Sequence, residues 1–159
     1  MKQHAAGSTP EIRTPSPVLA MLGVNLMVFM ATLDMSIVNV ALPTLVEALH
    51  ADFAAIQWVI LSYVLVIASL LLLVSRLGDM RDKKRIFSTG LVIFLIASLC
   101  CGLAPSVSWL VAFRALQGIG AAMTQSLGMA IVTQIAPPSS RGRALGFIGG
   151  TVAMGLMIG

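Results

Sequence analysis

Two residues in this chain carry full charge inside long apolar stretches: Asp34 within NLMVFMATLDMSIVNVAL and Arg114 within WLVAFRALQGIGAAM. In a lipid-like setting each charge costs about 2.5–3.5 kcal/mol or more unless it is paired or hydrated, so such residues mark ion pathways, proton relays or ligand counter-ions. Asp34 precedes Pro43 by nine residues and Arg114 follows Trp109 by five. At about 1.5 Å per helical residue these depths are roughly 13 and 8 Å below the same end of two helices, close enough for an ion pair or a water-bridged contact if the helices are neighbours. The chemistry open to that pair is the uptake and release of a proton by Asp34, with Arg114 as its electrostatic partner.

Other polar positions cluster around these two. At about 100° per residue, Gln117, Gly118, Ala121 and Gln125 fall within about 60° of Arg114, giving one polar, small-residue helix face suited to a hydrated cavity or a close neighbour. Asn25, Thr32, Ser36 and Asn39 form a second stripe, with Asp34 on the opposite side of their helix, so both sides must meet protein or water. The simpler role for these stripes is to hold helices together by hydrogen bonds. The segment SRLGDMRDKKRIF combines two acids with five bases. In it Gly78 permits a close turn, Asp79 can accept backbone N–H groups or pair with a neighbouring helix, and the cations can reach acids or lipid phosphate. GFIGGTVAMGLMIG places Gly155 and Gly159 at the spacing that lets two membrane helices approach backbone to backbone, for tight packing or for bending. Cys100 and Cys101 are adjacent in an apolar block, with neither ligand spacing nor a partner, and read as small packing residues.

The elements that must position these residues are membrane helices. Hydrophobic residues make up 58% of the 159 residues and charged ones 10%, against roughly a quarter charged in a soluble domain. The apolar residues fall in blocks of about twenty, the length that crosses a hydrocarbon core of roughly 30 Å. Residues 1–17 are polar and rich in Pro, Ser and Thr, which predicts a disordered tail; residues 18–159 form the transmembrane domain. The first apolar block is too long for a signal-peptide core and is expected to remain as an uncleaved span. Helices are predicted at Val18 to Leu42, Ala54 to Val74, Ile86 to Leu103 and Trp109 to Ile135, with a fifth beginning near Ala144; Pro43, Pro105, Pro137 and Pro138 punctuate the connections. Nine of the ten Lys and Arg residues lie at the N-terminus, in the 76–85 loop or between the fourth and fifth helices. The positive-inside rule therefore puts the N-terminus and the 76–85 loop in the cytoplasm, and Trp58 and Trp109 at the outer interface. The net charge of +4 arises from these topology signals, with no interleaved aromatic residues to suggest nucleic acid. The last block stops at Gly159 without a polar flank, which predicts a fragment of a longer protein or a truncated product.

Four segments in this order carry a family resemblance. LDMSIVNVALP at 33–43, RLGDMRDKKR at 76–85, FRALQGIGAAM at 113–123 and the unfinished GLMIG at 155–159 resemble the successive signatures of the major facilitator superfamily, the first in the form found in fourteen-helix drug:proton antiporters. The resemblance implies an all-α, polytopic bundle in which this chain supplies four and a half helices of the first six-helix half. It implies that Gly78, Asp79, Lys83 and Lys84 belong to a cytoplasmic latch between halves. Ser75, Met80 and Asp82 depart from the family pattern there, and Arg81 stands in as a cation. It further implies that Arg114, with Gln117, Gly118 and Gly120, tunes proton transfer near Asp34.

The function expected from the resemblance is proton-coupled export of lipophilic or cationic drugs across a cell membrane, in bacteria the inner one. The partners are the lipid bilayer, protons, the small substrates and the missing C-terminal remainder of the transporter; neither metal nor organic cofactor is implied. Three alternatives differ in what they need. A complete four-helix multidrug pump needs no fifth helix or 76–85 motif, a facilitator for another small solute need not show LDMSIVNVALP, and a truncated product would not transport. An enzyme is not indicated, because no nucleophile, base and orienting group recur together in a water-accessible segment.

Overall fold

The computed structural model describes residues 17–135 and 141–158. Residues 1–16 of the expected tail, Pro137, Pro138 and Gly159 lie outside the described residues. Five helices succeed one another: α1 Pro17–Ala48, α2 Phe53–Met80, α3 Lys83–Gly102, α4 Val107–Ile135 and α5 Arg141–Ile158. The first four are long and apolar enough to cross a membrane, and α5 carries a shorter apolar run, Leu145–Ile158. The large apolar side chains left exposed, such as Leu72, Leu99 and Leu103, lie on the outside of the bundle, as expected where the solvent is hydrocarbon.

Two predicted boundaries are corrected. Pro43 does not end α1, which runs to Ala48 with Pro43 inside it. Proline removes one N–H and crowds the carbonyl four residues back, but membrane helices tolerate this where other groups re-satisfy the backbone, and the chain re-forms helical bonds at once, with Leu49 donating to the Leu45 carbonyl at 3.1 Å. The helix ends instead around His50, whose φ of 46° is left-handed, the conformation that commonly stops a helix.

The second boundary lies in the 76–85 segment. Gly78 is not a turn residue: α2 continues through it to Met80. The reversal occurs at Arg81 and Asp82, both in extended conformation. Asp82 caps α3, its Oδ1 accepting the Lys84 N–H at 3.0 Å, as a short acidic side chain does well at a helix start. Gly78 is small for a different reason: a Cβ there would overlap the Leu127 side chain of α4.

α4 is the central helix, packed along both α2 and α3 and touching α1, while α5 packs chiefly on α1. Glycine makes the α3–α4 contact possible. A Cβ on Gly120 would lie 2.6 Å from the Gly90 carbonyl oxygen and 2.6 Å from the Phe94 nitrogen, both backbone atoms of α3. On the other side of α4, a Cβ on Gly118 would meet the Tyr63 carbonyl oxygen at 2.9 Å. Near these contacts Met27, Ala31, Tyr63, Phe94 and Ala121 form one apolar cluster joining α1, α2, α3 and α4.

Gly120→Ala is therefore expected to destabilise the protein by about 1–3 kcal/mol, the usual cost of overpacking. Gly23→Ala, where nothing lies within 4 Å, should leave stability unchanged or raise it slightly. Thermal unfolding in detergent distinguishes the two, and equal melting temperatures for both variants would contradict the close-contact account.

Candidate functional site

The structure brings Asp34 and Arg114 together. Arg114 Nη1 donates to Asp34 Oδ2 at 2.6 Å, linking the middle of α1 to the first half of α4. One turn further along α4, Gln117 Nε2 donates to the other carboxylate oxygen, Asp34 Oδ1, at 3.0 Å. The i,i+3 spacing of Arg114 and Gln117 places both donors on the α1-facing side of α4, so α4 holds both oxygens of the carboxylate. Arg114 is 5% exposed and Gln117 0%. A charge-assisted bond of this length in such surroundings is strong, and breaking it by removing one partner leaves an uncompensated buried charge.

Two residues absent from the sequence-based site complete the network. Gln117 Nε2 also donates to Ser98 Oγ of α3 at 2.6 Å. The Arg114 guanidinium lies over the ring of Tyr63 of α2, 5.7 Å from its centroid, within the range of a cation–π attraction. Residues of four helices thus join the network around one carboxylate. Arg114 Nε and Gln117 Oε1 are buried without a hydrogen-bond partner among the described residues.

Beside the network lies an open cavity of about 760 Å³ bounded by α1, α2, α4 and α5. Its wall is mostly apolar, with hydroxyl and amide groups from Thr32, Ser75, Thr124 and Gln125, and no charged side chain lines it among the described residues. That volume and lining suit a drug-sized apolar ligand. Tyr63 belongs to both places: it lines the cavity and carries Arg114 over its ring.

The remaining predicted positions separate by role. Gln125 faces the cavity and does not join Arg114 and Gln117, because it sits about two turns beyond Gln117 along the helix and so past the carboxylate. Gly118 and Gly120 are contact points of α4 with α2 and α3. Gly155 packs on Thr32, whose Cβ would lie 2.9 Å from a Cβ at 155, and nearby Thr151 donates to Asn25 Oδ1 at 3.2 Å. Of the α1 stripe, Asn25 and Thr32 meet α5 while Asn39 is exposed, and Asp34 on the opposite side meets α4. In the loop, Lys83 pairs with Asp79 at 3.2 Å and Arg85 with Asp82 at 3.8 Å; Arg81 is exposed and donates its backbone N–H to Leu77 O at 3.0 Å, and Lys84 contributes its backbone N–H to the Asp82 cap. Cys100 and Cys101 are free and partly buried.

Apolar spans gathered around a buried charge network, beside an uncharged cavity, define a multi-pass membrane protein of the transporter kind. The chain belongs to the Major Facilitator Superfamily, whose family model matches residues 24–159. It is 36% identical to the riboflavin transporter RibZ of Clostridioides difficile over 83% of this chain and 29% of that protein. It is 32% identical to multidrug resistance protein 3 of Bacillus subtilis over 95% of this chain and 29% of that protein. The chain thus spans less than a third of the length of these relatives. The fold matches the crystal structure of a bacterial homologue of the human lysosomal transporter Spinster, inward-facing and unoccupied, with a TM-score of 0.78 and 26% identity over 89% of this chain and 30% of that one.

Removing either member of the ion pair should cost stability, since the Arg114 side chain is buried and the Asp34 side chain is only 20% exposed. Arg114→Met is expected to destabilise the protein by about 3 kcal/mol. Combined with Asp34→Asn it should cost less than the sum of the two single changes, by at least about 1 kcal/mol. A double-mutant cycle on unfolding in detergent measures this, and strictly additive costs would show that the pair is not energetically coupled.

Proposed function

We propose that this chain contributes the opening helices of a proton-coupled exporter of lipophilic or cationic compounds, in which Asp34 carries the proton and Arg114 sets its affinity. The observation that carries the reading is the single carboxylate held between Arg114 and Gln117 inside apolar helices. A carboxylate so placed can exist charged or neutral, and the neutral form dissolves the pairing with Arg114, so proton occupancy changes which helix contacts are favourable. The neighbouring cavity, with its mostly apolar wall, supports a lipophilic cargo. The likeness to a multidrug resistance protein supports export of drugs.

The second reading is transport of another small solute, favoured by the likeness to a riboflavin transporter. Both readings share the fold and differ in cargo. In both, the activity belongs to a longer protein, in which further helices supply the opposite wall of the cavity and the second half needed for alternating access. The N-terminus and the 76–85 segment face the cytoplasm of a bacterial cell in this reading, with the segment around Gly78, Asp79, Arg81, Lys83 and Lys84 latching the two halves in one access state.

Asp34→Asn keeps the shape of the carboxyl group and removes its titration. In the full-length transporter it is expected to insert normally and to reduce proton-driven efflux of a cationic dye at least about tenfold, a conservative figure for loss of a positioned proton carrier. Unchanged dependence of efflux on an imposed pH gradient would overturn the assignment.

The orientation is tested separately. In a background lacking Cys100 and Cys101, a cysteine at Glu47 should react with an impermeant maleimide in intact cells and one at Ser75 should not. Labelling at 75 from outside inverts the topology.

A further inference from the structure

Gln125 stands on α4 inside the apolar span Val107–Val132, exposed at the wall of the cavity. Its carboxamide forms no hydrogen bond among the described residues. An unbonded amide is costly against hydrocarbon, so this one must be met by whatever enters the cavity or closes it. The other polar groups of the wall are less available. Thr32 donates to the Val28 carbonyl at 2.8 Å and Thr124 to the carbonyls of Gly120 and Ala121, each at 3.0 Å, so both hydroxyls are left to accept only. Ser126 Oγ is buried, Tyr63 is almost wholly so, and Ser75 stands in the last two turns of α2, next to Arg76. Among the described residues of the wall, Gln125 is therefore the one that offers an N–H and a C=O together. No charged side chain of the described residues lines the cavity, so nothing at this wall offsets a charge on the cargo.

Resting on the exporter reading above, we infer that Gln125 is a specificity-determining residue of the cavity, and that the part of the cargo seated against this wall is an uncharged, mostly apolar group with an N–H and a C=O side by side, as in a lactam or imide. The carboxamide of Gln125 carries an N–H and a C=O on one edge, and that edge matches a lactam by two parallel hydrogen bonds. Such a cargo replaces the bonds that solvent makes to the amide in the open cavity. A cargo without the pair displaces solvent and leaves the amide unmet among apolar side chains, which lowers its affinity. Discrimination of this kind comes from what the wrong cargo leaves unpaired, so it is sharper than an apolar wall achieves by shape alone. A side chain from the rest of the longer protein is the other group that could meet Gln125. The amide opens, however, on a cavity of about 760 Å³, far more than one side chain fills.

The test uses the full-length transporter and two probes, carbostyril, an uncharged aromatic lactam, and its N-methyl derivative, which lacks the lactam N–H. Equilibrium binding to the purified wild type is expected to favour carbostyril by about tenfold, the worth of one well-placed hydrogen bond. Gln125→Met keeps the length of the side chain and removes the amide; its ratio should fall close to one, through weaker binding of carbostyril. Equal affinities of the wild type for the two probes, or binding of neither, overturn the inference whatever the variant does. A Gln125→Met variant that weakens both probes by the same factor also overturns it, since the amide then meets the rest of the protein and not the cargo. Efflux driven by a pH gradient is measured alongside, with carbostyril and with tetraphenylphosphonium, a cation that has no hydrogen-bonding group. Export of either compound supports the exporter reading whichever way the binding ratio falls. Export of neither removes that reading, and with it the standing of the lactam as cargo.

Discussion

A carboxylate surrounded by apolar helices must be met by hydrogen-bond donors, and much of this bundle is shaped by how Asp34 is met. Hydrocarbon offers no water to stabilise the charge, so the donors have to come from other helices, close at hand and with little freedom. Arg114 and Gln117 supply them from consecutive turns of α4. For those side chains to reach α1 while α2 and α3 also reach them, α4 must lie at the centre of the bundle, and it does. Central placement in turn requires that helices on either side approach α4 closely. Gly118 admits α2, and Gly120 with Gly90 admits α3. The glycines of the fourth helix are thus tied to the charge one turn away: without the close approach, Ser98 and Tyr63 would not reach Gln117 and Arg114.

The placement of charge relative to the cavity is equally constrained. Asp34 and Arg114 are not among the residues lining the cavity, and Tyr63 stands at its wall. An ion pair opening directly onto a water-filled space would be weakened by solvent. Arg114, 5% exposed, lies over the Tyr63 ring, whose face favours the guanidinium. The cavity keeps an uncharged lining suited to apolar cargo, while the pair stays one side chain away. Tyr63 is the structural link between the two.

Much of this is legible in the sequence because membrane helices leave strong signals. Apolar runs and loop charges point to five helices in the order observed, and two isolated charges at similar depth permit the ion pair that the structure shows. What escapes is local or relational. Pro43 reads as a terminator because proline lacks an N–H, yet a membrane helix tolerates that loss; the actual stop is a left-handed histidine, which no residue-type rule singles out. Gly78 reads as a turn because glycine serves turns and close packing alike, and only the position of Leu127 separates the two. Asp82, a departure from the family pattern, proves to cap α3. Ser98 is hidden for another reason. A single serine or threonine in an apolar block commonly bonds back to its own helix, as Ser69 and Thr89 do here, and nothing along the chain says which one reaches across to a neighbour.

Neutralising Asp34 would unsettle the whole network. Arg114 would become a buried cation left with the face of Tyr63 as its remaining contact of this kind among the described residues, and a cation–π contact of about 2 kcal/mol does not offset the desolvation of a guanidinium. The arrangement with Asp34 charged and the arrangement with Asp34 neutral therefore cannot be equally comfortable in one packing. Relief requires water, a new anion or a shift of α1 against α4. Of the helix pairs that meet at the carboxylate, α1 against α4 is the lighter contact, whereas α2 and α3 are bound to α4 along their length and through glycine. α1 also carries α5, through Thr32 on Gly155 and Asn25 with Thr151. If Asp34 carries the proton as proposed, the strain of its neutral form would fall first on the α1–α4 contact, and the cavity bounded by α1, α2, α4 and α5 lies beside that seam.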